Sequence, residues 1–131
     1  MKRTFFSLAL LLAVATLTAQ TKMTAREAAV KIADRILAST TYEFKNTKTG
    51  ETYKSVKKLP LDMDVKVACK YNNWHYTNGV TNMALMELGD KLGDKKYEKY
   101  VLKNMNFVFN EGNLDFFRKQ YDEAFKRDGW N

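Results

Sequence analysis

Downstream of residue 20, apolar side chains recur at helical spacing in four stretches and alternate with polar ones in another. The first stretch carries Ala29, Ile32, Ala33, Ile36 and Leu37 on one stripe, with Lys31, Asp34 and Arg35 off it. Thr24 followed three residues later by Glu27 has the form of a capping box, so a helix is predicted to begin there and to stop at Ser39-Thr40-Thr41. Residues 42–53 alternate loosely around Asn46-Thr47-Lys48-Thr49-Gly50, which predicts a β-hairpin with a turn of about five residues. Residues 54–73 hold the single proline, Pro60, and show little periodicity, so they are expected to form an ordered crossing loop.

A second helix is predicted from Val80, Met83, Ala84 and Leu88, ending at Leu92-Gly93-Asp94 with Gly93 as a left-handed C-cap. A third follows at once, with Tyr97, Tyr100, Val101, Asn104, Met105 and Val108 on its stripe and a break at Glu111-Gly112-Asn113. So short a connection makes the second and third helices an antiparallel αα-hairpin. Leu114, Phe117, Tyr121 and Phe125 mark a fourth helix running toward Arg127. The fold class is therefore mainly α, built of antiparallel helical hairpins, with a short β-hairpin near 42–53.

The first nineteen residues stand apart. Lys2 and Arg3 precede an uncharged, mostly apolar run of about fifteen residues, and Leu17 and Ala19 occupy the −3 and −1 positions of a cleavage site. This predicts a secretory signal peptide over residues 1–19 and a secreted or periplasmic protein with no membrane attachment once the leader is removed. Removal leaves about 112 residues, one domain's worth, and takes Lys2 and Arg3 off the formal charge of +7. The remaining lysines are spread along the chain and interleaved with acids, which speaks against nucleic acid as a partner. Cys69 is the single cysteine; it rules out an internal disulfide and reads as a small buried residue.

Chemistry concentrates in Asn72-Asn73-Trp74-His75-Tyr76-Thr77-Asn78-Gly79, which holds the single histidine. Trp74 and Tyr76 offer flat apolar faces with a donor at the edge, and Asn72, Asn73 and Asn78 offer amide donors and acceptors, a mixture suited to sugar rings. The same run also reads as an ordinary helix start with its aromatics folded inward, and the residues alone leave both readings open. Asp62 and Asp64 flank one residue and can converge on a hard cation, but without further ligands at calcium-loop spacing a solvated turn is the simpler reading. One histidine cannot build a usual zinc site, no Gly-x-Ser-x-Gly elbow accompanies it, and no glycine-rich phosphate cradle is present. Asp115, Asp122, Glu123 and Asp128 alternate with Arg118, Lys119, Lys126 and Arg127, the pattern of surface ion pairing. Met83, Met86 and Met105 read as core filler. No metal, cofactor or catalytic residue is expected.

Phe107, Phe109, Phe116, Phe117, Phe125 and Trp130 fall on more than one face of the later helices, more than four helices can sandwich. With a loop-like end at Asp128-Gly129-Trp130-Asn131, this predicts a chain cut short of its full domain.

Residues 70–110, with their Asn-Asn-Trp-His-Tyr-Thr-Asn-Gly-Val-Thr-Asn-Met-Ala-Leu-Met-Glu-Leu run and Leu-Gly-Asp-Lys-Lys-Tyr turn, resemble the N-terminal part of glycoside hydrolase families 88 and 105. These are the unsaturated glucuronyl and rhamnogalacturonyl hydrolases; residues 44–50 and the leader are similar to the Bacteroidetes branch. The resemblance implies that residues 20–131 supply roughly the first third of an (α/α)6 barrel. It further implies a hydrolase acting on oligosaccharides left by polysaccharide lyases, in which an aspartic acid protonates the C4–C5 double bond of the terminal uronic acid. Trp74 and Tyr76 match aromatics near the sugar subsite, so Trp74, His75 and Tyr76 are the expected substrate contacts. Gly79 matches a glycine where a helix and its neighbour approach closely. The family's essential aspartates have no matching segment in this chain, which is then expected to be inactive alone. An exported helical module that binds a carbohydrate or a protein is the alternative.

Overall fold

The computed structural model describes residues 23–129; the leader expected over residues 1–19, and Trp130, lie outside them. The chain divides between Val30 and Lys31 into two units. What is described of the first is the opening of helix α1 (Ala25–Ser39). Its capping box is formed as expected: Thr24 N and Oγ1 donate to Glu27 Oε2 at 2.8 and 2.9 Å, and Glu27 N donates back to Thr24 Oγ1 at 3.2 Å. These bonds favour the ionised carboxylate, the backbone one most, and hold Glu27 below the usual range.

In the second unit, α1 closes where Ser39 and Thr40 turn their hydroxyls onto the Arg35 and Ile36 carbonyls at 2.7 and 2.8 Å. Strands β1 (Phe44–Asn46), β2 (Thr52–Tyr53) and β3 (Val65–Val67) form an antiparallel sheet in the order β2-β1-β3. The expected hairpin is β1–β2. Asn46 Oδ1 accepts from Lys48 N and Thr49 N, and Gly50 takes a φ of 78°, the left-handed conformation that closes the turn.

The crossing loop needs correcting. It contains a 3-10 turn at Val56–Lys58 and β3, which pairs Phe44 with Val67 and Asn46 with Val65. Three residues of strand are too few to register as a period. Asp62 and Asp64 make a turn within it: Asp64 N donates to Asp62 Oδ1 at 3.0 Å, and the Asp64 carboxylate meets Lys48 at 2.6 Å.

Helices α2 (Tyr76–Leu92), α3 (Lys95–Val108) and α4 (Glu111–Asp128) complete the unit. Gly93 ends α2 in the left-handed conformation, and Asp94 caps α3 by accepting from Lys96 N at 3.0 Å. The break before α4 lies at Phe109-Asn110, earlier than the expected Glu111-Gly112-Asn113, because Asn110 Oδ1 accepts from Gly112 N and Asn113 N and so starts a helix there. No helix among the described residues is long and apolar enough to cross a membrane.

Two apolar clusters hold these elements. Ala33 of α1, Leu85 of α2 and Tyr97, Tyr100 and Val101 of α3 form one. Phe44, Val65 and Phe116 form the other, where the Phe44 ring lies 5.4 Å from Phe107 and 6.0 Å from Phe117. The α3 stripe is buried largely as expected. The α2 stripe is not: Asn78, Asn82, Leu85 and Gly89 face inward, while Val80 and Met83 are 60% and 73% exposed. Across the α2–α3 seam Asn104 Nδ2 donates to Asn82 Oδ1 at 3.2 Å, a buried polar pair that apolar periodicity does not register. On α4, Asn113, Phe116 and Gln120 are buried and Tyr121 and Phe125 are exposed, against the expected stripe. Met83 and Met105 are likewise exposed and are not core filler. Cys69 is buried, accepting from Tyr71 N at 3.5 Å.

Candidate functional site

The segment 72–76 turns the chain from β3 into α2. His75 is the N-cap of α2: its backbone is extended, and Nδ1 lies 2.8 Å from Thr77 Oγ1 and 3.4 Å from Thr77 N, which donates to it. The ring is exposed and serves the helix start. The Tyr76 ring lies 5.1 Å from the His75 ring and is 79% exposed. Trp74 is 65% exposed, with the Phe109 ring 5.4 Å away at 67°, an edge-to-face pair.

Trp74 stands at a groove of about 540 Å³ between β3 and α4, lined also by Lys66, Val67, Phe117, Arg118 and Tyr121. Of the three expected contacts, Trp74 alone lines it. An apolar floor, two aromatic faces and two cations make a surface for a ring bearing negative charge. Arg118 pairs with Asp115 at 2.6 Å, and Lys119 reaches the same carboxylate at 2.7 Å. The ion pairing expected along α4 is thus present, with Lys126 on Glu123 and Arg127 on Asp128 as well. One of its members doubles as a groove residue. Arg118 and Tyr121 lie 44 and 47 positions beyond Trp74, farther than a local pattern reaches, and Lys66 lies eight positions before it, outside the aromatic run.

Two expectations fall. Asn72 and Asn78 are buried, and their amides bind backbone: Asn72 Nδ2 donates to Thr41 O at 2.7 Å, and Asn78 Nδ2 to Lys70 O at 2.9 Å. They are framework and do not face a ligand. At Gly79 a Cβ would meet nothing within 4 Å, so among the described residues the close approach expected there is absent; one occurs at Gly89.

Three aspartates are poised against proton donation. Lys48 holds Asp64 below the usual carboxylate range, Lys119 and then Arg118 do the same for Asp115, and Lys96 and Tyr97 for Asp34. An acid that must hold its proton near neutral pH needs the opposite shift. Among the described residues no three His, Cys, Asp or Glu side chains gather as metal ligands. In comparison with known proteins, the chain matches no family model, no curated protein and no solved structure.

Proposed function

We propose that this chain carries a sugar-holding surface of a secreted hydrolase related to glycoside hydrolase families 88 and 105. Its own activity is binding the acidic end of an oligosaccharide released by a polysaccharide lyase. One observation carries this reading: Trp74 lies exposed at a groove that also presents Lys66, Arg118 and Tyr121. A pyranose offers a C–H face to an aromatic ring, and a uronate offers a carboxylate to a cation. Asp34, Asp64 and Asp115 are held ionised by their partners and are not offered as a general acid.

The test is calorimetric titration with lyase-cut unsaturated oligosaccharide and with its carboxyl-reduced counterpart. Saturable binding on the order of millimolar or tighter is expected for the acidic ligand, weaker for the reduced one. Equal affinity for both, or none, refutes the reading.

A second reading rests on α2, where Tyr76, Val80 and Met83 form an outward apolar stripe. Such a face suits either further helices of a larger domain or a protein partner of an independent module. A sharp melt of a monomer favours the module; a broad one with dye binding favours part of a larger domain.

A further inference from the structure

Trp74 presents a large apolar ring to solvent at the rim of the groove. Of the four residues before Trp74, Lys70, Tyr71 and Asn73 are bound at their carbonyls by side-chain amides, and Asn72 is held through its own amide. Asn78 Nδ2 donates to Lys70 O at 2.9 Å, to Asn73 O at 3.1 Å and to Asn73 Oδ1 at 2.6 Å. Asn104 Nδ2 of α3 reaches Tyr71 O at 3.3 Å, and Asn72 is anchored to Thr41 O. On the other side, His75 N donates to Asn73 O at 2.9 Å and Asn78 N to His75 O at 2.9 Å.

Asn78 sits in the first turn of α2 and is 9% exposed, so it bonds where water competes little. An amide has two N–H groups; one serves Lys70 and the other is shared by the two oxygens of Asn73. The first turn of α2 is in this way bonded to its own approach.

We propose that Asn78 is a positioning residue that holds Trp74 at the groove. That the positioned ring serves an oligosaccharide rests on the function proposed above. Without the amide, the 70–73 backbone loses the donor common to both its ends, and the ring is free to leave the rim.

The test uses the whole chain carrying Trp130→Phe, which leaves Trp74 as its single tryptophan. Time-resolved anisotropy of that parent should show Trp74 turning with the protein; a ring already free on the nanosecond scale overturns the proposal without any variant. Asn78→Asp keeps the size and removes both donors. It should lower the slow anisotropy component about two-fold and weaken oligosaccharide binding about ten-fold. Gly89→Ala, destabilised at the far end of α2, should leave Trp74 anisotropy as in the parent. Parental anisotropy in Asn78→Asp, or the same loss in Gly89→Ala, overturns the proposal. An immobile Trp74 that Asn78→Asp releases, in a parent that takes up no oligosaccharide, upholds the positioning and refutes the sugar reading.

Discussion

Gly89 of α2 meets Tyr97 of α3 so closely that a Cβ at residue 89 would stand 3.3 Å from Tyr97 Cβ and 3.2 Å from the Asp94 carbonyl oxygen. Tyr97 is wholly buried, and its hydroxyl donates to Asp34 Oδ1 of α1 at 2.9 Å. The glycine therefore sets how near the two helices of the hairpin lie, and through Tyr97 how α1 joins them.

Gly89→Ala and Gly79→Ala should differ in sign. Both gain up to about 1 kcal/mol of helix propensity. At residue 89 the opposing atoms are a backbone oxygen and a Cβ, which cannot swing away, and overpacking of about 1–3 kcal/mol exceeds the gain. At residue 79 there is open space. Urea melts should place Gly89→Ala below the parent and Gly79→Ala at or above it.

Gln120→Leu should loosen β3. The buried Gln120 amide donates to Val65 O at 2.9 Å and to Asp62 O, tying the strand to α4. Leaving those carbonyls without a donor costs about 1–3 kcal/mol. Hydrogen exchange should speed at β3 more than in the middle of α2.

Stability should fall at both ends of the pH scale for different reasons. Asp34, Asp64 and Asp115 are held below their usual 3.8, so their contribution is present above that value and lost as pH falls through the lower folded values. Burial pushes Tyr42 from 10.0 up to about 12, with Tyr100 and Cys69 adding to it. Its neutral phenol then favours the fold fully below pH 10, and the advantage fades as pH climbs toward 12. Melting temperature against pH checks both limbs, and Tyr42→Phe should flatten the alkaline one.

Trp74→Ala should weaken oligosaccharide binding by on the order of 1 to 3 kcal/mol while moving stability by less than about 0.5 kcal/mol. The ring is mostly in solvent, so little packing is lost with it. Unchanged calorimetric affinity would remove Trp74 from the site.

Local signals were legible because local physics writes them. The Thr24–Glu27 box, the Gly50 turn, the Gly93 cap and the α3 stripe each depend on residues within a few positions of one another, and each stands where the sequence put it. The mainly α class with its short hairpin follows from them. What the tertiary structure decided was orientation. Asn104 donates to Asn82 across the α2–α3 seam and Asn78 turns inward to bind Lys70 O of its own approach, while Val80 and Met83 of α2 face solvent. The candidate site was half legible. Trp74 stood out as an aromatic beside a helix start, but Lys66 and Arg118 reach its groove only because β3 pairs with β1 and α4 is tied to β3 through Gln120. Those are contacts between residues tens of positions apart, and their register is fixed by packing and hydrogen bonding that a one-dimensional pattern does not contain.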